Sequence, residues 1–174
     1  LLLTAFVSYF LHFKYVQHTY MQPDKHFQSN KIDIYVKNST PWITTTNQAT
    51  KFLSHHVKEN ETFLSLPYAP LFYFMTDKSS PTRQLLFLKF LDISIDQQNK
   101  IIDDMENNNT NWIILSKRKE SDEPGLGNFG EDHCQILNAY IKDNFEEHTT
   151  IGIWEDPRRW FSYPGYKILK RKNI

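Results

Sequence analysis

The chain has 174 residues, with twenty Lys and Arg balanced by twenty Asp and Glu. Zero formal charge leaves no global field to draw nucleic acid, and a single cysteine, Cys134, excludes an internal disulfide. The length suits one domain with one set of cores, not two.

Leu1, Leu2, Leu3, Ala5, Phe6, Val7, Phe10, Leu11 and Phe13 make the start of the chain apolar, and eleven residues precede the first basic side chain, His12. As a helix those eleven would reach roughly 17 Å, short of the ~30 Å hydrocarbon core. With Tyr9, Tyr15, Tyr20 and Lys14 as an aromatic and basic fringe, residues 1–20 read as the end of a transmembrane helix. That reading expects a membrane domain upstream. A buried helix of a soluble domain is the alternative. A signal peptide fits less well, because no basic start or small-residue cleavage site is visible.

Residues 21–31 are polar and contain Pro23, as expected of a linker. Residues 32–174 are then expected to form the extracytoplasmic domain. Ile32, Ile34 and Val36 alternate with polar partners, a strand pattern. Trp42 to Thr45 reads as a second strand, and Thr46 as the cap of a helix to Glu59 with Ala49, Phe52, Leu53, His56 and Val57 on one face. Phe63 to Leu66 reads as a strand closed by Pro67, and Ala69 to Met75 as a short helix. Residues 77–83 read as a loop.

Ser94 and Gln97 have capping-box spacing before a helix to Asn107. Trp112 to Leu115 has the composition of a buried strand. The glycines between 120 and 130 mark a loop, and Asp132 with Gln135 repeats the helix-start signal. Ile136, Leu137, Tyr140, Ile141 and Phe145 form a helical stripe. Ile151 to Trp154 reads as a strand, 156–165 as a long turn, and Tyr166 to Arg171 as the last strand. Helices alternating with short apolar strands predict a single α/β sandwich with a mixed sheet and flanking helices.

Two segments carry candidate binding chemistry. Tyr68, Tyr73, Asp77 and Arg83 follow the end of a predicted strand, where α/β folds place ligands. Their rings, hydroxyls and charges suit a sugar or lipid head group, although packing of a turn explains Phe72 and Phe74 as well. Arg158 and Arg159 beside Trp160 form a cationic pair able to hold a phosphate, or else a solvated turn. No metal site is expected: His55 and His56 diverge on a helix, and His133-Cys134 lacks a second ligand pair. Neither a phosphate loop nor a nucleophile motif is present, so no catalytic residue and no cofactor is assigned. Asn-x-Ser/Thr sequons at Asn38, Asn60 and Asn108 are compatible with mere Asn-rich coding bias.

The order of Phe63-Leu64-Ser65-Leu66-Pro67-Tyr68-Ala69-Pro70, Leu71-Phe72-Tyr73-Phe74-Met75-Thr76, Ser80-Pro81-Thr82-Arg83, Trp112-Ile113-Ile114-Leu115, Asn128-Phe129-Gly130 and Tyr140 to Phe145 is distinctive. After an apolar helix end, it resembles the soluble C-terminal domain of bacterial membrane-integral glycosyltransferases of the GT-C class, relatives of dolichyl-phosphate-mannose protein mannosyltransferases. The resemblance spans most of residues 32–174. It implies a polytopic enzyme that moves a sugar from a polyprenyl-phosphate carrier to a glycan or protein acceptor outside the cytoplasm. In that family the catalytic acid lies in a loop of the membrane domain, so none is carried over here. Pro67, Tyr68, Pro70, Tyr73, Pro81 and Arg83 are the matching positions. Asn144-Phe145, where Asn-Tyr is usual, and the extra turn from 155 to 164 depart from the pattern. The implied role is accessory; a membrane-tethered, non-enzymatic binding or interaction domain is the alternative.

Overall fold

The computed structural model describes residues 4, 7–14, 25–28, 31–36, 41–116, 124–154 and 165–172. Its centre is a four-stranded sheet of order β3-β4-β6-β5, built from β3 (Thr62–Leu66), β4 (Thr110–Ser116), β5 (Phe145–Ile151) and β6 (Tyr166–Arg171). β3 and β4 run parallel, whereas β6 is antiparallel to both β4 and β5. A separate antiparallel hairpin pairs β1 (Lys25–Gln28) with β2 (Asp33–Val36). The mixed sheet and flanking helices agree with the α/β expectation.

Strand periodicity sorts the side chains of the sheet into two cores. Phe63, Trp112, Ile114 and Ile168 face α1 (Pro41–His56) and α2 (Leu71–Thr76), and Phe27 of the hairpin joins them. Leu64, Leu66, Ile113 and Phe145 face the other way with Ile101 and Met105 of α3 (Ile95–Asn107) and Leu137 and Ile141 of α4 (Gln135–Asn144). Ile113, Ile114 and Leu137 are completely buried and Trp112 and Ile141 nearly so, in agreement with the core expected from the sequence.

Several local expectations are corrected. Trp42 to Thr45 is helix, not strand: Pro41 opens α1, a position its fixed φ and missing N–H suit. Ile43, Thr46, Ala49, Thr50, Leu53 and Val57 then recur at helical spacing on the buried side, which overrides the β preference of the Ile-Thr-Thr-Thr run. The segment expected as a linker contains β1, held by its partner strand. The stripe ending at Phe145 is helical only to Asn144, and the strand expected at Ile151 to Trp154 lies earlier, as β5. Among the described residues no helix is long and apolar enough to cross a membrane; residues 7–14 are helical and exposed.

The two helix-start signals have different outcomes. At α3 the capping box forms: Ser94 Oγ accepts from Gln97 N at 3.3 Å, and Ser94 N donates to Gln97 Oε1 at 2.8 Å. At α4 the residue before the helix is Cys134, left-handed at φ 57 and with no side-chain cap. Asp132 instead accepts from Asn128 N at 2.7 Å and braces its own loop. The cap comes from a distant residue. Buried Gln98 of α3 accepts with Oε1 from Ile136 N at 3.1 Å and Leu137 N at 3.3 Å, while its Nε2 donates to Ile93 O at 3.0 Å. One amide thus satisfies two orphan donors of α4 and joins the two helices. Gln98→Leu keeps the volume but strands those donors, and is expected to cost about 1–3 kcal/mol in urea denaturation.

Candidate functional site

The residues singled out between β3 and α3 stand in different settings. Tyr73 is a core residue: its ring stacks on Phe63 at 4.8 Å between centroids, and its hydroxyl accepts from Ser65 N at 3.0 Å. That bond covers an N–H on β3, which among the described residues has a neighbouring strand on one side only. Burial pushes the Tyr73 phenol above its ordinary pKa. Tyr68 is half-buried, Asp77 closes α2 in a left-handed conformation and pairs with Lys31, and Arg83 is exposed. Arg158 and Arg159 lie outside the described residues.

A groove of about 450 Å³ lies instead where β3 and β4 begin, the end of the parallel pair opposite to Pro67. The end of α1 supplies His56, and the turn into β3 supplies Lys58 and Glu61. β4 contributes Asn111 and Trp112, β5 His148, and the end of β6 Lys170 and Arg171, followed by Lys172. The volume falls in the range of small-ligand sites.

Trp112 organises the floor. Its ring meets His148 edge-on at 5.3 Å, Phe52 at 5.8 Å and His56 at 6.0 Å, while His56 stacks on Phe52 at 3.9 Å. The Lys170 ammonium lies 5.4 Å from the indole centroid. His148 reaches this cluster from a β-bulge. The β5–β6 register passes from Glu147↔Leu169 to Thr149↔Ile168, leaving His148 without a partner in the ladder. Bulges re-aim side chains in this way.

Glu61 anchors the floor from below. Its carboxylate accepts from Trp112 Nε1 at 3.2 Å, Asn111 Nδ2 at 3.1 Å and Lys58 N at 3.1 Å. Burial pushes its pKa up, but these donors and the Lys58 charge outweigh burial and hold the carboxyl below its ordinary value.

Two of the four lining cations are already committed. Arg171 donates from Nε to Thr110 O at 3.0 Å, from Nη1 to Glu106 at 3.0 Å and from Nη2 to the Tyr140 hydroxyl at 3.2 Å. Tyr140 in turn donates to Glu106, so α3, α4, β4 and β6 meet in one network. Lys172 Nζ donates to the carbonyls of Lys142 at 3.1 Å and Asp143 at 2.8 Å, capping the end of α4. Among the described residues Lys58, whose charge also acts on Glu61, and Lys170 remain as the cations facing the groove.

Histidine and cysteine elsewhere have structural settings. His133 Nε2 approaches Phe87 O at 2.9 Å, and burial pushes the Cys134 thiol to about 11, far from a reactive thiolate. Among the described residues no group of three or more His, Cys, Asp or Glu is placed to hold a metal ion. Asn108 of one sequon spends its amide on Pro81 O and Asp104 O. Sequence reasoning missed the groove because its walls come from four separated segments, 56–61, 111–112, 148 and 170–172; the only local hint was His56 on the apolar face of a helix.

No protein-family model, curated protein or solved structure matches this chain.

Two variants test these assignments. Tyr73→Phe should destabilise the fold by about 1–3 kcal/mol by leaving the buried Ser65 N–H without an acceptor. Arg83→Ala should stay within about 0.5 kcal/mol of wild type in the same denaturant titration. The second test is pH. A carboxyl whose folded pKa is depressed stabilises the fold above its unfolded value, near 4.5, and loses that contribution as pH falls through the folded value. The stability advantage of wild type over Glu61→Gln should therefore be present at neutral pH and close on acidification below pH 4.5, as read by thermal unfolding at a series of pH values.

Proposed function

We propose that this chain is an accessory extracytoplasmic domain of a membrane glycosyltransferase that draws on a polyprenyl-phosphate sugar, and that its part is to hold a ligand. The family resemblance of residues 32–174 supports the association with sugar transfer. The chemistry of the groove supports the holding role, and one observation carries it. Among the described residues one carboxylate, Glu61, lines the groove and is spent on three N–H donors, whereas Lys58, Lys170, His56 and His148 surround an aromatic floor. Such a set attracts and orients an anionic or ring-bearing ligand. General acid–base work on a glycosidic bond would call for a pair of available carboxyls.

A second reading, a membrane-tethered binding domain unconnected with sugar transfer, draws on the same groove, because cations and rings do not select a sugar carrier by themselves. The indole N–H of Trp112 provides a probe for both. Titrating the chain with a soluble, short-chain polyprenyl-phosphate mannose should move that resonance saturably without releasing mannose. Release of mannose would overturn the holding role. An unmoved Trp112 resonance with this probe, beside a saturable shift with another anion, would favour the second reading.

A further inference from the structure

We infer that the groove at the start of the parallel strands is a binding site for a phosphate monoester. The inference rests on the proposal that this groove holds a ligand, and adds the chemical class: a dianionic monoester, against which a polyprenyl-phosphate sugar, a singly charged phosphodiester, is the weaker ligand. Among the described residues four cations line the groove, Lys58, Lys170, Arg171 and Lys172, against one carboxylate, Glu61. The commitments of these groups narrow the ligand further. All three guanidinium nitrogens of Arg171 are engaged with Thr110, Glu106 and Tyr140, so no free fork is offered to a planar carboxylate. Lys172 is engaged with the end of α4.

The cations left are two ammonium groups, Lys58 from the turn after α1, whose charge also acts on Glu61, and Lys170 from β6. Point charges of this kind suit a tetrahedral dianion, which can turn a different oxygen to each. His56 and His148 also line the groove, with their rings 6.3 Å apart between centroids; His56 Nδ1 is held by Phe52 O at 2.9 Å, which leaves Nε2 of that ring. Among the described residues the acidic groups around the site are few. Glu61 is tied to Trp112 and Asn111, and Glu106 to Arg171 and Tyr140. Glu147 pairs with Lys167 at 2.9 Å. Glu146 stands opposite Lys170 in the β5–β6 register and is exposed. A volume of about 450 Å³ leaves room beside the phosphate for the organic part of the ester.

The test uses the whole chain and follows the Trp112 indole resonance at constant ionic strength. Inorganic phosphate and glycerol 3-phosphate should shift it saturably, and acetate should bind about tenfold or more weakly. Lys170→Gln and Lys58→Gln should each weaken phosphate by about tenfold, the loss of one charge-assisted hydrogen bond. Lys170→Arg should restore most of the affinity, and Arg83→Ala should leave it unchanged. Retention of the wild-type spectrum elsewhere shows that each variant is folded; should Lys170→Gln misfold, Lys58→Gln decides alone.

Two further arms locate the source of the ester. Binding of glycerol 3-phosphate without association with phosphatidylcholine vesicles containing phosphatidic acid indicates a free phosphate ester. Lys170-dependent association with those vesicles indicates a lipid head group. Equal affinity for acetate, no response to phosphate, or phosphate affinity indifferent to both lysine substitutions overturns the inference. If phosphate fails while short-chain polyprenyl-phosphate mannose or a neutral oligosaccharide still moves Trp112, the holding role stands and the phosphate assignment falls. If nothing moves it, both fall.

Discussion

The double pairing of β4 is the constraint on which this structure depends. Parallel to β3 on one side and antiparallel to β6 on the other, the strand has its backbone groups consumed in both directions. Its side chains are consumed in both directions too: Trp112 and Ile114 enter one core, Ile113 the other. Such a strand has no freedom of register, because a slip by one residue would exchange the two faces and put the indole among α3 and α4. The position of Trp112 is therefore set by the sheet before any groove exists. Glu61 and His148 are arranged around an indole that cannot move.

The two edges of the sheet are handled differently, and the difference separates structure from site. At β3, whose residues from Phe63 to Leu66 are buried, a tyrosine hydroxyl from α2 covers Ser65 N–H. This edge is closed by packing. At β5 the exposed residues are Glu146, Glu147, His148 and Thr150, and a bulge breaks the ladder. Charges and bulges both discourage further strand pairing. The same bulge delivers His148 to the groove, so edge protection and ligand geometry draw on one irregularity.

Polar groups in this fold are shared economically across elements. Gln98 serves as the N-terminal cap of a helix other than its own, and Arg171 ties the end of β6 to both helices of the opposite face. A buried amide or guanidinium is tolerated when its donors and acceptors are matched. Arg171 lines the groove while being spent in that network. The ligand-facing charge is left to Lys58 and Lys170, whose flexible stems make weaker structural anchors.

The sequence by itself determined the parts governed by near neighbours. Apolar runs at Phe63 to Leu66 and Trp112 to Leu115 specified buried strands, the 3.6-residue stripe through Leu137 and Ile141 specified a core-facing helix, and Ser94 with Gln97 specified a helix start. In each case the signal itself lies within a few positions, although the strands are then held by partners far along the chain. Alternating strands and helices then sufficed for the α/β class. The tertiary structure decided what depends on distant partners. It made Trp42 to Thr45 helical by giving one face of that segment a core to enter, and it replaced the expected cap at Asp132 with an amide 38 residues away at Gln98. It also withdrew Tyr73 from the expected site, because the unpaired N–H of an edge strand requires an acceptor. The groove itself brings together α1, the turn after it, β4, β5 and β6. No local pattern encodes that meeting, since strand order and a single bulge are settled only when the whole sheet has closed its hydrogen bonds.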